Sequence, residues 1–488
     1  MPSADHGRPT SRRVSASPPA LAPTVWDSPR MSNAVVNAAR PETREQRAWY
    51  WYDWANSAYV TTTATVLMSP YLTSVAEQAA CPGLPDGQDC TTNLSVLGIP
   101  VAPGSLWFFT VTFTTILSAI VLIFIGAIAD RSPRPTRLFA GFAWAGALAA
   151  SLMFFVAGTN WQLGAVLVVV AGICLGSSLV IYDSILCRIA NENERDRVSS
   201  KGWAFGYLGG GILLALNFAL DFFHEDLGLD RALSTRISIL SAGLWWAGFT
   251  IIPYLGLRHL TGTVETPVER SAGVVRGSIA QLRSTFRDLA NYPQTKLFLV
   301  AYLFFNDGIQ TVIGSSSVYG SKELGFSETT VLGVFLFVQF VAFLGARLFG
   351  RVAASIGAWR TILYGIGLWT VVVVFAFVLP SKSLVIFLAL ALLIGLVLGG
   401  TQALSRSLYS QLIPRGREAE YFSLYQAMER GTSWFGTLIF GLVYQFTLSY
   451  RWAIIALIVF FAIGGVLLSK VRMREGIEQA GNPVPAVI

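Results

Sequence analysis

Charged residues are scarce in this sequence. Only 13% of its 488 residues are Asp, Glu, Lys or Arg, whereas 53% are hydrophobic and 13% are aromatic. A soluble domain carries about 25% charged residues, so the chain lacks the polar surface that a soluble fold of its size requires. The apolar excess also excludes an intrinsically disordered protein. The composition therefore predicts a helical membrane protein that crosses the bilayer many times.

Histidine and cysteine are scarce too, with three and four residues respectively. The histidines lie outside the apolar segments and no Cys-x-x-Cys pair occurs, so we predict no metal site and no cofactor. The phosphate-binding pattern Gly-x-x-x-x-Gly-Lys-Ser/Thr is also missing, and nothing indicates ATP-driven work. Cys81 and Cys90 share a polar loop at 76–104. They are a disulfide candidate in an oxidising compartment, with two free thiols as the alternative.

Apolar segments recur along the chain from residue 49 to residue 470. Each has roughly the 20 residues that a helix needs to cross the hydrocarbon core. Residues 1–45 are rich in Pro, Ser, Ala and Arg and predict a disordered cytoplasmic tail. The aromatic cluster at 49–54 predicts an interfacial belt at the start of the first span. We predict twelve transmembrane helices, at 49–73, 105–129, 137–157, 162–188, 202–221, 236–256, 296–319, 328–350, 360–379, 383–409, 421–446 and 451–470.

The distribution of basic residues predicts the orientation of these spans. With the N-terminus inside, 29 of the 35 Lys and Arg residues fall on the cytoplasmic side, five fall outside and Arg430 lies within a span. Basic loops are retained preferentially on the cytoplasmic side of a membrane. We therefore predict that both termini are cytoplasmic. The net charge of +7 then reflects topology rather than a nucleic-acid site.

A long polar linker divides the spans into two sets of six. Within this linker, residues 257–295, apolar and basic side chains recur at helical spacing, which predicts a basic amphipathic helix on the inner membrane face. We assign residues 46–256 to an N-terminal half and 296–472 to a C-terminal half. Residues 473–488 form a cytoplasmic C-terminal tail in this assignment.

The two halves carry related segments. Gly126 and Gly350 stand near the ends of the second and eighth spans, at an offset of 224 residues. The basic segment at 189–197 and the one at 412–420 are separated by 223 residues and follow the fourth and tenth spans. Two nearly equal offsets at corresponding places predict a duplication, which is typical of transporters built from parallel repeats.

The end of the second span carries a short motif made of Gly126, Asp130, Arg131 and Arg134. It resembles the pattern Gly-x-x-x-Asp-Arg-x-Gly-Arg of the major facilitator superfamily of transporters, although Pro133 stands where a glycine is expected. In the second half this pattern is degenerate. The first half nevertheless carries enough of the pattern to imply a major facilitator fold.

Four longer motifs are more specific: WYDWANSAY from Trp51, GWAFGYLGGG from Gly202, QALSRSL from Gln402 and IPRGREAE from Ile413. Together they resemble one branch of that superfamily, the vacuole effluxers, which are autophagy-related amino-acid exporters. The resemblance covers the membrane core from about Arg44 to Lys470 and implies transport of small solutes, with amino acids favoured.

Ionisable residues inside spans are costly in a bilayer and usually face a cavity or a partner. Asp307, Glu429 and Arg430 lie deepest in their spans. Asp307 is our first candidate for binding a coupling proton, and Asn306 and Gln310 beside it are candidates for polar substrate contacts. Arg430 is a candidate to bind a substrate carboxylate. A static Asp307–Arg430 ion pair and interhelical salt bridges of Glu429 and Arg430 are the alternatives.

A second set of polar residues lies nearer the cytoplasmic ends of the spans. Asp53 and Asn56 share a stripe on span 1 and are candidates for substrate contact, with an inner gate or an interfacial cap as alternatives for Asp53. Gln402 on span 10 is a further substrate candidate. An Asp183–Arg406 pair would form an inner gate between the halves; otherwise each residue binds within its own half.

The cytoplasmic end of the second span carries three further gating candidates, Asp130, Arg131 and Arg134. Asp130 is expected to meet either Arg188 or the positively polarised N-terminus of span 11. Either contact would hold the state that is closed to the cytoplasm and open to the outside.

These features predict an all-α membrane protein with twelve transmembrane helices in two pseudo-symmetric six-helix halves. We expect secondary active transport of a small polar solute, most specifically amino acids, by alternating access coupled to a proton or another ion. The expected partners are that solute and the lipid bilayer, with no nucleic acid, for a monomer in the plasma (cell inner) membrane. A transport-fold membrane sensor is the alternative, and a polytopic lipid-modifying enzyme is a weaker one, because no span carries a histidine.

Overall fold

A computed structural model of the chain describes residues 41–83, 90, 92–96, 98–261, 287–431, 433–447 and 449–488. The predicted disordered tail lies outside these residues as far as residue 40. The predicted amphipathic helix of the linker lies outside them from 262 to 286.

The first half is a bundle of helices in the order that the apolar segments predict. Its first crossing is a continuous helical run that includes a π-helical stretch at Tyr59–Leu67, and a two-stranded antiparallel hairpin follows it. The bounds are α1 Arg44–Ala58, α2 Met68–Ala80, β1 Leu94–Val96, β2 Ile99–Val101, α3 Leu106–Arg131, α4 Pro135–Leu152, α5 Trp161–Ile189, α6 Arg195–Phe222 and α7 Arg231–Leu257.

The second half repeats this arrangement without a hairpin in its described residues. A second π-helical stretch, Tyr319–Glu323, extends its first helix. The bounds are α8 Pro293–Val318, α9 Glu328–Ile356, α10 Ala358–Val378, α11 Leu384–Gln411, α12 Glu418–Gly431, α13 Ser433–Thr447, α14 Tyr450–Ile455, α15 Ile458–Ser469 and α16 Met473–Gln479.

Ten described helices are long and apolar enough to cross a membrane. The run from α1 to α2 is the first crossing, and α12 with α13 is the eleventh. Both crossings are more polar than the others, because α1 and α12 carry the side chains described below. The prediction of a twelve-helix fold in two six-helix halves is confirmed.

Local sequence signals begin several of the helices. Thr43 caps α1 through the backbone amide of Gln46, whose side chain bonds back to Thr43. The predicted tail boundary at residue 45 is therefore two residues too late. Pro135 and Pro293 stand at the first positions of α4 and α8, where a missing N–H costs nothing.

Three rings of the aromatic cluster at the start of α1 do not belong to an interfacial belt. Trp49, Tyr50 and Tyr52 are buried at 0–1% exposure, so that prediction is wrong for these three. Trp49 stacks on Tyr182 of α5 with ring centroids 4.3 Å apart. These three rings thus belong to the core of the first half. Their position near the end of a span does not reveal that they point into the protein.

The halves meet along two equivalent helix pairings, α3 with α12 and α6 with α9. Glycine allows close approach at both crossings. A Cβ atom on Gly126 of α3 would lie 2.7 Å from Ser423 Cβ of α12, and one on Gly350 of α9 would lie 2.8 Å from Ser200 Cβ of α6. Helices in membranes pack closely through such small residues.

Candidate functional site

A cavity of about 280 Å³ lies between the two halves. Helices α1, α5 and α6 of the first half and α8 to α12 and α14 of the second half supply its walls, together with the two π-helical stretches. Its apolar wall comes mostly from the second half. The polar wall contains Asp53, Asn56, Thr61, Asp183, Trp203, Tyr207, Gln310, Gln402, Arg406, Gln426 and Glu429.

Arg406 of α11 lies at the centre of the polar wall and joins the halves. Its side chain is only 3% exposed. Nη1 lies 3.2 Å from Asp183 Oδ1 of α5, and Nη2 lies 3.1 Å from Asp53 Oδ2 of α1. Nε donates to Ser199 Oγ of α6 at 3.0 Å. One guanidinium therefore binds three helices of the opposite half, and the predicted Asp183–Arg406 contact is present.

Aromatic rings surround the same guanidinium. Its central carbon lies 4.7 Å from the ring centroid of Trp49, 5.5 Å from that of Trp203 and 5.7 Å from that of Tyr182. The Tyr182 hydroxyl donates to Asp53 Oδ2 at 2.8 Å. Cation–π contacts strengthen in a desolvated site, so these rings stabilise the buried charge in addition to the two carboxylates.

A polar chain continues from this ion cluster to Glu429. Gln426 Nε2 donates to Asp183 Oδ2 at 2.9 Å and lies 3.5 Å from Glu429 Oε2. The Tyr302 hydroxyl donates to Glu429 Oε2 at 3.2 Å. Glu429 is half-buried and lines the cavity, whereas Asp53 and Asp183 are buried. Of the three lining carboxylates, Glu429 is therefore the one that a solute in the cavity reaches most readily.

The residues around Asp307 are divided between the cavity and the interior of the second half. Gln310 lines the cavity, but Asp307 does not belong to its described lining. Asp307 is 1% exposed, and its Oδ2 accepts from Gly436 N of α13 at 2.8 Å. Oδ1 has no hydrogen-bond partner among the described residues. Asn306 Oδ1 accepts from Gln402 Nε2 at 2.8 Å.

We call the end of the bundle that carries Asp130 and the start of α12 the basal end, and the opposite one the apical end. Asp130 Oδ1 accepts from Ala419 N at 3.0 Å, and Oδ2 accepts from Glu420 N at 2.8 Å. A carboxylate of the first half thus caps the first turn of α12, which is one of the two partners predicted for it. The other predicted partner, Arg188, donates instead to the carbonyl of Thr261.

Hydrogen bonds join the two halves across the rest of the basal end. Arg195 Nη1 donates to the carbonyl of Ser410 at 2.8 Å. Gln411 Nε2 donates to the carbonyl of Glu192 at 2.8 Å. We call this contact between the halves the basal seam. Residues 473–488 cross it, because Asn482 bonds to the carbonyls of Gln411 and Ile413 while Ala486 N donates to Asn193.

An arginine just before α12 ties this seam to the end of the linker. Arg417 forms two hydrogen bonds with the Glu420 carboxylate, at 2.8 and 2.9 Å, and one with Asp288 Oδ2 at 2.8 Å. The Glu420 carboxylate, with Asp288, raises the pKa of Arg417 above its ordinary value. Arg417 therefore stays charged, and the basal seam holds a permanent cation beside the helix start that Asp130 caps.

Replacing Asp130 with alanine is expected to expose Cys187. Cys187 Sγ lies 4.0 Å from the carbonyl of Ser410 across the basal seam. Because the variant loses two charge-assisted hydrogen bonds across this seam, its basal end opens more often, and maleimide should label Cys187 about tenfold faster. Cys174 is the internal control, since it packs within the first half beside Gly146. Unchanged Cys187 labelling would contradict a gating role for Asp130.

The remaining candidates lie apart from one another, at the cavity and at the two ends of the bundle. Asn56 lines the cavity and donates to the carbonyl of Tyr52. Arg131 and Arg134 are exposed at the basal end. Arg430 belongs to α12, but its side chain lies outside the described part of the structure. Cys81 and Cys90 are joined as a disulfide at the apical end of α2.

Sequence reasoning missed several residues of this site. Trp203, Gln426 and Ser199 surround the Arg406 cluster, yet none carries a charge that depth in a span would single out. The signal for Trp203 was present, because GWAFGYLGGG places it one turn from the glycines that let α6 approach α1. Gly202 faces the Asp53 carboxylate, where an added Cβ would lie 2.5 Å from Oδ2.

Comparisons with known proteins agree with this architecture. A family model described as "Vacuole effluxer Atg22 like" matches residues 42–481. The uncharacterized MFS-type transporter YxiO of Bacillus subtilis is 27% identical over 450 residues, covering 91% of this chain and 99% of that protein. Autophagy-related protein 22-1 of Phaeosphaeria nodorum is 24% identical over 469 residues, with 82% and 81% covered.

Solved transporter structures share the fold. A bacterial homologue of the iron transporter ferroportin, in an outward-facing state, superposes with a TM-score of 0.62 at 15% identity over 88% of this chain and 98% of that one. The proton:xylose symporter XylE superposes with a TM-score of 0.60 at 12% identity, with 88% and 95% covered. At these identities the likeness concerns the fold alone.

Proposed function

The chain belongs to the vacuole effluxer Atg22-like family of major facilitator transporters, and from this premise we propose that it carries amino acids across the membrane, coupled to protons. It is a multi-pass membrane transporter and not an enzyme. We place it in the plasma membrane as a monomer, with the basal end and both termini in the cytoplasm, following the distribution of its basic residues.

One observation carries the proposal. The residues that form the polar wall of the cavity also form the ionic contact that joins the two halves. Arg406 of the second half binds Asp53 and Asp183 of the first half at the edge of this cavity. A solute that binds beside these charges therefore competes with, or reinforces, the contact that holds the halves together. Alternating access requires a solute whose affinity differs between two conformations of the protein.

The basal seam supports a cycle in which the halves rock against each other. Asp130 caps α12, and residues 189–197 of the first half bond to the end of α11, so the basal end is closed in this conformation. We propose that it is the outward-facing state, with residues 46–256 and 296–472 as the two moving bodies. The linker at 257–295 and the tail at 473–488 stay on the cytoplasmic side in this proposal.

Asp307 is the proposed proton site. Its burial favours a carboxylate that binds a proton in part of the cycle, as does its Oδ1, which has no hydrogen-bond partner among the described residues. Its other oxygen accepts a hydrogen bond from Gly436 N of α13. Binding and release of a proton at Asp307 would therefore change a contact of the eleventh crossing. That crossing also carries Glu429, which lines the cavity.

Transport by purified protein in proteoliposomes tests the proposal. Counterflow of a radiolabelled panel of the twenty amino acids, with and without an inwardly directed proton gradient, should give saturable exchange that the gradient converts to accumulation. Binding without exchange would indicate a membrane sensor, and a chemically altered lipid or solute would indicate an enzyme. Exchange that ignores the gradient would remove the proton from the mechanism.

A further inference from the structure

We propose that residues 473–488, which we call the strap, are fixed to the second half and must release Asn193 of the first half whenever the basal end opens. The strap thereby stabilises the conformation with a closed basal end and slows its opening. It gives a conformational role to a segment that the sequence predicts only to be a cytoplasmic tail. The inference shares with the proposed function only the rocking of the two halves, and it holds for any solute.

The first part of the strap, helix α16, is packed into the second half. It lies between the start of α8 and the end of α11, where a Cβ atom on Gly476 would lie 2.8 Å from Gln294 Cβ and 2.8 Å from Leu412 Cδ2. Met473 is 4% exposed and Ile477 is 0% exposed. Detachment would return these apolar side chains to water, which is unfavourable, so α16 moves with the second half.

Beyond α16 the strap is bonded to the end of α11. Gly481 makes the turn with a φ of +72°, in the left-handed region that favours glycine. Asn482 is 8% exposed, and its Nδ2 donates to the carbonyls of Gln411 at 2.9 Å and Ile413 at 2.7 Å. The last carbonyls of a helix have no partner within it, so Asn482 supplies a bond that the end of α11 requires.

The first half attaches to the same turn of α11. Arg195 Nη1 donates to the carbonyl of Ser410, and the side chain of Gln411 donates to the carbonyl of Glu192. The strap and residues 192–195 therefore meet at the end of one helix. This places the strap beside the segment of the first half that has to leave α11 when the basal end opens.

A backbone N–H of the strap reaches that segment directly. Ala486 N donates to Asn193 Oδ1 at 2.8 Å. The bonds of the strap to α8 and α11 lie within the second half and persist when the halves separate, whereas this bond breaks. A contact that exists in one conformation shifts the equilibrium toward that conformation. The strap therefore favours the closed basal end by the strength of this bond.

Contacts on both sides of Ala486 hold its N–H in place. Val484 and Ile488 pack against the core of the second half. Gly357, in the turn between α9 and α10, has a φ of +91°, and a Cβ atom there would overlap the carbonyl oxygen of Ile488. Because the strap is ordered on both sides of the donor, the bond to Asn193 forms with little further ordering of the chain.

Maleimide labelling of Cys187 in the full-length protein, reconstituted in nanodiscs, measures basal opening without a substrate. Asn193→Ala removes the acceptor, and Ala486→Pro removes the donor because proline has no backbone N–H. Each variant should label Cys187 about threefold faster than the parent protein, as the loss of one hydrogen bond predicts. The double variant should label no faster than the single ones, because both changes remove the same bond. Cys174 is the internal control.

Two further variants make the test specific. Asn193→Asp keeps an acceptor oxygen at the same position and should label at the parent rate. Asn291→Ala, at an exposed basal asparagine, is the matched control and should also label at the parent rate. Should Ala486→Pro fold poorly, the two Asn193 variants decide the question. Parent-like labelling of Asn193→Ala, equal labelling of Asn193→Ala and Asn193→Asp, or additive effects in the double variant would overturn the inference.

A cross-link tests the release itself. A protein that carries both Asn193→Cys and Ala486→Cys is oxidised to join the two positions, and the parent protein passes through the same treatment. The cross-linked protein should label Cys187 at least about tenfold more slowly than the parent, and reduction should restore the rate. Parent-like labelling of the cross-linked protein would show that opening needs no release and would overturn the inference.

The labelling results and the counterflow results are independent. The expected labelling in a protein that shows no counterflow would uphold the strap and remove the proposed function. Counterflow in a protein whose labelling ignores the Asn193 variants would uphold the proposed function and remove the strap.

Discussion

Replacing Arg406 with glutamine is expected to lower the free energy of unfolding by about 3–5 kcal/mol and to abolish transport. The substitution removes the cation that pairs with both Asp53 and Asp183, and both carboxylates are nine-tenths or more buried. Two uncompensated buried charges are more costly than the loss of the hydrogen bonds themselves. The same change also removes the buried ionic contact between the two halves.

Thermal unfolding in detergent and counterflow in proteoliposomes measure the two effects. Arg474→Gln, at an exposed basal arginine, is the matched control and should change neither. Adding Asp53→Asn and Asp183→Asn to Arg406→Gln removes all three charges, so stability should recover while transport does not. Arg406→Lys keeps the charge but cannot bind two carboxylates in a plane, and should recover only part of the stability. A stable, active Arg406→Gln protein would refute the ionic contact as the link between the halves.

Replacing Asp307 with asparagine is expected to abolish proton-driven accumulation and to spare exchange. The amide oxygen of asparagine can still accept from Gly436 N, so the packing of α8 against α13 is retained. The amide cannot bind and release a proton between pH 5 and 8. The cavity lining is untouched, because Asp307 lies outside it.

Uptake against a concentration gradient and counterflow at equal pH distinguish these steps in one preparation of proteoliposomes. The expected result is loss of at least about 90% of accumulation, a tenfold change, with counterflow within twofold of the parent protein. Asp226→Asn, at an exposed apical carboxylate, controls for the loss of one negative charge. Undiminished accumulation would exclude Asp307 as the proton site, and loss of both activities would make its role structural.

The spans and their pairing into halves could be predicted from sequence because both depend on one-dimensional patterns. Twenty-residue apolar segments mark crossings, and near-equal offsets mark a repeat. Gly126 and Gly350, found by their offset, occupy equivalent inter-half crossings. Asp183 and Arg406 could be paired for a related reason, since they lie at matching depths on helices that line the centre of such folds.

Rotation about a helix axis could not be predicted. Depth in a span singled out Asp307, but its side chain points into the second half and away from the cavity. The sequence allows three roles for Asp53, which are substrate contact, inner gate and interfacial cap. Its distance from the span end does not reveal that it faces Arg406. The buried start of α1 was misread for the same reason, since Trp49 looks interfacial by position and is central by orientation.

The paired crossings of the two halves have a consequence for the origin of the molecule. Each half contributes one glycine and one serine, so that Gly126 meets Ser423 and Gly350 meets Ser200. An interface in which each side presents the same two elements to the other is the isologous interface of a twofold homodimer. A single six-helix ancestor would have been self-complementary along this seam before its gene was duplicated and fused. The two halves now differ at the cavity, where the first supplies Asp53 and Asp183 and the second supplies Arg406, Glu429 and most of the apolar residues.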